Sequence, residues 1–259
     1  MSFKIAASDF DGTLFRNRQI SEEDLTAIKN WRSAGNKFGI VSGRAYTMLP
    51  SHFQKFNLKL DFAICDNGAI IYDGDEKIVY ETELPKEILF EIIKEPFAEE
   101  SLHVAFETSE TVYCTSIKPA SWLLREKEGW QSPLIMIEVA QIASLSKINQ
   151  MALAFQSPEE AFASAEKLNQ KFGEYIFAQK NTHSVDIVVA GVNKGSGVEN
   201  LLRVNNWSGK AYVIGDESND LPMIRKFGGF TVSTAKDFVK HEATKVFDSV
   251  GAMLNNYCF

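Results

Sequence analysis

The chain has 259 residues, 45% of them apolar and 24% charged, and carries a formal net charge of -7. That length and apolar content support a sizeable core in one large or two smaller domains and exclude a disordered chain. The acidic balance, with no basic stripe, argues against a nucleic-acid partner. No stretch approaches the ~20 apolar residues of a membrane span, and three widely separated cysteines do not make a disulfide framework. A cytoplasmic protein, monomeric or weakly homo-oligomeric, with no membrane partner is expected.

The first third alternates strand and helix. "FKIAAS" (3–8) is a short buried strand. Ser21 caps a helix in which Leu25, Ile28 and Trp31 recur at helical spacing, and Gly35 stops it. "KFGIVSG" (37–43) is a second strand, a helix is expected from about Arg44 to Phe56, and "DFAICDNG" (61–68) is a third strand and turn. This rhythm implies parallel pairing, with all strand carboxyl ends along one edge.

The middle reads as an α+β unit. It has a helix after Pro85 (Ile88, Leu89, Ile92, Phe97), then strands "LHVAFET" and "TVYCTS", and a helix over Ser121–Lys127. Strands "PLIMIEVA" and "NQMALAFQ", a helix from Ser157-Pro158 to Gly173, and strands "EYIFAQK" and "HSVDIVVA" complete it. After Ala190 the first rhythm returns with a helix over Lys194–Val204, the strand "KAYVIGD", a helix after Asn219, and strands "GGFTVS" and "ATKVF". The expected fold class is α/β: a Rossmann-like parallel-sheet core over 1–82 and 188–259, interrupted by an α+β domain over 83–187.

Four turns lie just past a strand or at a helix start: "DFDGTL" (9–14), "VSGR" (41–44), "VNKGSG" (192–197) and "GDESND" (215–220). Ligands of open α/β sheets bind at the strand carboxyl ends, so these turns can converge. Asp9, Asp11, Asp216 and Asp220 bring up to four carboxylates to one cleft, where they repel one another unless a cation intervenes. Oxygen ligands without His or Cys favour Mg²⁺. Ser42 offers a hydroxyl ahead of a helix, and Lys194 adds a fixed positive charge beside glycines. Acids, Mg²⁺, a lysine and a helix N-terminus together describe a phosphoryl-transfer site. Gly12 lets the chain turn tightly after the acids.

These motifs, in this order, resemble the haloacid dehalogenase superfamily of phosphohydrolases. The long insertion between "VSGR" and "NK" resembles its branch with an α/β cap of the second type, and "DNGA" (66–69) with "GDESNDLPMI" resembles the Cof-like hydrolases. The resemblance implies a Mg²⁺-dependent phosphatase acting on a small phosphorylated metabolite, a sugar phosphate or cofactor phosphate, chosen by the cap. It implies Asp9 as nucleophile, forming an aspartyl-phosphate, and Asp11 as general acid and base. It implies Asp9, the backbone carbonyl of Asp11, Asp216 and Asp220 as the metal set. Ser42, with Gly43, and Lys194 then bind the transferring phosphoryl group with Asn219 near it, and Arg44 and Asn67 lie at the substrate edge. One departure stands out: relatives carry a glycine- and asparagine-containing turn where this chain has Ser233-Thr234-Ala235. A phosphomutase on the same scaffold and a non-catalytic phosphometabolite-binding protein are the alternatives.

Overall fold

The computed structural model describes residues 3–127, 130 and 132–258. The chain opens with β1 (Ile5–Asp9), α1 (Glu22–Ser33), β2 (Lys37–Val41), α2 (Pro50–Lys55), β3 (Phe62–Cys65), β4 (Ile70–Asp73) and β5 (Ile78–Glu81). It continues with α3 (Lys86–Ile93), α4 (Pro96–Glu100), β6 (His103–Thr108), β7 (Val112–Ile117), α5 (Leu123–Glu126), β8 (Leu134–Met136), β9 (Ile148–Ala154), α6 (Pro158–Phe172), β10 (Ile176–Asn181) and β11 (Ser184–Val189). It closes with α7 (Lys194–Val204), β12 (Ala211–Gly215), α8 (Leu221–Phe227), β13 (Phe230–Val232), α9 (Asp237–Glu242), β14 (Lys245–Phe247) and α10 (Val250–Tyr257). The described residues form two compact units, one drawn from Met1–Ser42, Lys55–Tyr80 and Asn193–Phe259, the other from Gly43–Gln54 and Glu81–Val192.

In the first unit the sheet order is β14-β13-β12-β1-β2-β3-β4-β5. The six strands from β14 to β3 run parallel, and β4 is antiparallel to β3. β1 is buried along its whole length, as a central strand covered on both faces must be. Ile5, Ala7, Val41, Ile64 and Val213 pack there against Val198 and Leu201 of α7. α1 starts where Ser21 accepts the Asp24 amide (3.1 Å), and the buried Asp24 carboxylate accepts the amide of Gly251 in α10 (2.6 Å). The first-turn acid of one helix thus caps the start of another.

The second unit carries a sheet in the order β10-β11-β9-β6-β7-β8, antiparallel except for the β7–β8 pair. Val104, Phe106, Met151, Leu153, Val185 and Ile187 share one face and pack on Leu89, Ile92, Leu168 and Phe172 of the helices. Ala105, Cys114 and Ala152 face the other way and pack with Ala45 and Met48. Among the described residues, no helix is long and apolar enough to cross a membrane.

The α/β core and the α+β insertion agree with the reading of the sequence; three local expectations do not. The helix expected over Arg44–Phe56 is a 3-10 turn at Tyr46–Met48 followed by α2. Ala45 is extended (ψ 145°), and Pro50 cannot supply an amide to a continuing helix, so it starts a new one instead. The amides after Ser42 therefore do not open an α-helix. The helix after Pro85 is likewise two helices, broken where Pro96 holds Glu95 extended. "PLIMIEVA" keeps only β8 as strand, and a 3-10 turn capped by Glu138 follows. The β4–β5 hairpin was not anticipated; Asp73 closes it by accepting the amides of Asp75 and Lys77 (both 2.9 Å).

One buried titratable group in the second unit has a measurable consequence. His103 is fully buried, and burial pushes its pKa down to about 3. Ser121 Oγ accepts the Leu123 amide (3.2 Å), so its own proton serves His103 Nδ1 (2.8 Å) and the imidazole stays neutral. The unfolded chain protonates this histidine near pH 6.5. Its contribution to stability is therefore full above that pH and is lost below it, by about 1.4 kcal/mol per pH unit. The denaturation midpoint of the native protein should fall between pH 6.5 and 5.5, and His103→Asn, which keeps an acceptor for Ser121, should flatten that fall. An unchanged slope in the variant would contradict this account.

Candidate active site

β1 and β12 are hydrogen-bonded neighbours, with Ser8 opposite Ile214. Their carboxyl ends therefore bring Asp9 beside Asp216. Gly12 turns the chain with φ +86°, and its amide donates to the Phe15 carbonyl (3.0 Å). A Cβ at Gly12 would lie 2.5 Å from Asp216 Oδ2, so only glycine lets the two loops approach this closely. Thr13 then donates its hydroxyl proton to Asp216 Oδ1.

Lys194 is the first residue of α7. Asn193 caps that helix, its side chain accepting the Ser196 amide (3.0 Å) while Ser196 Oγ accepts the Asn193 amide (2.9 Å). The helix dipole disfavours a cation at this end. Two carboxylates outweigh it: Lys194 Nζ donates to Asp9 Oδ1 and to Asp220 Oδ1, each at 2.7 Å. Lys194 is 1% exposed and Asp220 fully buried. Asp220 Oδ2 accepts the amides of Asp216 and Glu217 (both 2.9 Å), so this carboxylate holds its loop and the lysine together.

The charges are unevenly matched. If all are ionised, three acids with one lysine leave two negative charges in a largely buried cluster. Burial, reinforced by the charge of Asp220, raises the pKa of Asp9 well above the ordinary carboxylate range, and Lys194 only partly opposes this. Asp216 is raised as well, by burial first, with the Thr13 hydrogen bond pulling the other way. At Lys194 burial works against the charge, but the fields of Asp220 and Asp9 overcome it and raise its pKa.

The cluster fits a hard cation on its own chemistry. Asp9, Asp216 and Asp220 each offer a carboxylate oxygen, and these oxygens lie within 4.8 Å of one another. Among the described residues, Asp9 Oδ2 is buried with no hydrogen-bond partner. An all-oxygen donor set, surplus negative charge and an orphaned acceptor are what a hard divalent cation satisfies.

The remaining expected residues are distributed as follows. Asp11 is exposed, just past the buried Phe10 that separates it from Asp9. Ser42 is buried; its amide donates to Ile64 O (2.8 Å) and its carbonyl accepts the Asn67 amide (3.0 Å). Asn67 is fully buried, and Asn219 Nδ2 donates to its Oδ1 at 3.1 Å. Gly43 and Arg44 group with the second unit, where the Gly43 carbonyl accepts Gln150 Nε2 (2.9 Å) and Arg44 pairs with Glu126 (3.1 Å). Sequence reasoning passed over Thr13, the Asn193–Ser196 cap and Glu217, which caps its own turn and pairs with Lys236. A hydroxyl directly after "DG" was the available signal for Thr13.

A family model of haloacid dehalogenase-like hydrolases matches residues 6–252. Among characterised proteins, the pyridoxal phosphate phosphatase of Escherichia coli is 26% identical over 258 residues, covering 95% of this chain and 93% of its own. The 5-amino-6-(5-phospho-D-ribitylamino)uracil phosphatase of the same organism is 21% identical over 240 residues, covering 88% and 84%. A HAD/COF-like hydrolase of Plasmodium vivax shares the fold, with a TM-score of 0.84 at 24% identity, covering 98% of this chain and 95% of that one.

Removing the lysine should expose the imbalance. Lys194→Met leaves the buried acids without their cation, a change that typically costs about 3–5 kcal/mol when one partner of a buried pair is lost. In metal-free buffer at neutral pH its denaturation midpoint should drop accordingly. A midpoint equal to that of the native chain would show that Lys194 does not carry the charge balance.

Proposed function

The chain belongs to the haloacid dehalogenase-like hydrolases, and on that premise we propose that it is a Cof-like phosphoric monoester hydrolase working through an aspartyl-phosphate with Mg²⁺ at the acid cluster. The observation that carries the reading is Lys194 clamped between Asp9 and Asp220, with Asp9 Oδ2 left buried and unpartnered. One oxygen of Asp9 is fixed by the lysine, and the other remains for an electrophile. Asp9, the Asp11 carbonyl, Asp216 and Asp220 would hold the cation, Asp220 contributing directly or through water. When bound, the cation neutralises the surplus charge and polarises a phosphoryl oxygen.

The protein's own groups do the rest. An Asp9 oxygen bonds to phosphorus as the ester P–O bond breaks, and Asp11 gives its proton to the departing oxygen. Asp11 then takes a proton from water as that water attacks phosphorus. Inorganic phosphate leaves and the Asp9 carboxylate is restored. Asp9 must be ionised to attack; the charge of Lys194 favours that form against the burial that opposes it, and a bound cation would favour it further. Ser42 and Asn219 bind the transferring phosphoryl group, while the inserted unit selects the leaving group. Two curated relatives are named for phosphorylated cofactor and ribityl compounds, which supports a small phosphorylated metabolite as substrate for this chain too.

Two measurements test this. The purified protein should release phosphate from an aryl phosphate with Mg²⁺ and not with EDTA, and Asp9→Asn should lower kcat by at least ~10³-fold while leaving the fold intact. Turnover retained by Asp9→Asn would remove the nucleophile assignment. Separately, Mg²⁺ at a hundred-fold excess over its Kd should raise Tm by roughly 5 °C. Asp216→Asn should abolish that rise; an undiminished rise would place the cation elsewhere.

A further inference from the structure

The stretch Asp66-Asn67-Gly68 has three consecutive left-handed residues, with φ of 49°, 52° and 105°. A non-glycine residue in this region costs about 1–3 kcal/mol and persists only where its surroundings over-determine it. Asn and Asp bear that conformation best among residues with a side chain. Here both are buried, Asn67 completely.

The surroundings tie the turn to three of the motif loops. The Asn67 amide donates to the Ser42 carbonyl (3.0 Å), linking it to the loop after β2. Gly68 lies against the cap of α7: a Cβ there would be 2.4 Å from Asn193 O and 3.3 Å from Gly197 Cα. This backbone contact fixes the helix start that carries Lys194. Asn67 Oδ1 accepts Asn219 Nδ2 at 3.1 Å, one residue from Asp220. Asn67 is fully buried with its side-chain oxygen on Asn219 Nδ2, so it can decide how the Asn219 amide is turned.

We propose that Asn67 is a positioning residue for the phosphoryl-transfer step: its side-chain carbonyl takes one Nδ2 proton of Asn219 and so fixes the direction of that residue's remaining proton and carbonyl, while the left-handed turn holds the Ser42 loop and the Lys194 helix in register. The kinetic part rests on the phosphatase reading above. The geometric part does not.

The test separates the acceptor from the backbone. Asn67→Gly keeps the left-handed conformation without strain and removes the acceptor; Asn67→Asp keeps an acceptor of the same shape. With an aryl phosphate and Mg²⁺, Asn67→Gly should lower kcat at least ten-fold with KM changed less than about three-fold. Asn67→Asp should keep at least a third of kcat. Asn219→Ala should match Asn67→Gly, and the double variant Asn67→Gly/Asn219→Ala should fall no further than Asn219→Ala alone. A native kcat in Asn67→Gly, an effect on KM alone, or additive losses in the double variant would each overturn the proposal. One measurement depends on neither turnover nor refolding of a variant. In the intact native protein, one Asn219 side-chain amide proton should exchange slowly with solvent, and fast exchange of both would equally overturn it. If Asp9→Asn abolishes turnover while Asn67→Gly does not, the positioning role fails and the phosphatase reading stands. If the native protein turns over no phosphate ester, the phosphatase reading fails and the exchange measurement alone decides the Asn67–Asn219 contact.

Discussion

The buried bond of Lys194 to two carboxylates is the constraint around which the first unit is arranged. An ammonium group at a helix start, almost wholly out of water, is unfavourable on two counts: desolvation and the helix dipole. It is tolerated because Asp9 and Asp220 arrive from opposite sides of the chain, both at 2.7 Å. Once the lysine is fixed, much else is required. Asp220 must spend its second oxygen on the 216–217 amides, Gly12 must have no side chain, and Asp216 must find Thr13. The arrangement still holds more negative charge than positive. That surplus is not a flaw of packing: it is the property that suits the cluster to a hard cation.

Much of this was legible because the chemistry sits in short contiguous motifs. Asp9 ends a buried strand and Asp11 follows just beyond it, and a strand end in an α/β rhythm is where ligands bind. α1 and α6 were legible through Ser21 and Ser157, whose side chains accept the amides three residues on. The reading stopped where an interaction spans distant residues or a local signal has two meanings. The Asn67–Asn219 bond joins residues 152 apart, and no spacing rule connects them. Thr13 and Asp216 are 203 apart. The stretch after "VSGR" has helical composition as far as Phe56, and only the geometry at Ala45 and Pro50 breaks it. The β4–β5 hairpin lacks clean alternation because β5 is half-exposed along its length.

The two units solve different packing problems with the same chain. The parallel sheet covers both faces with helices and places its polar chemistry at strand ends. The antiparallel sheet puts large side chains on the helix-covered face and small ones, Ala105, Cys114 and Ala152, on the other. Polar groups therefore occur within its strands rather than beyond them: His103, Glu107, Gln150, Gln179 and Asp186 are all buried. Buried polar groups inside strands demand specific partners, as His103 shows with Ser121.

The pairing of β1 with β12 has a consequence for the order in which the molecule is made. The inserted sheet is complete in sequence by Val189, whereas the first strand of the chain waits for Ala211–Gly215 to lie beside it. During synthesis the insertion can fold while β1 still lacks one neighbour, and Asp9 lacks Lys194 and Asp216. The acids and the lysine that offset one another are thus joined late, after the intervening chain has found its own structure. Long-range closure of this kind slows folding. It also means that the Asp9 carboxylate meets Lys194 and is enclosed only in one of the last events of folding.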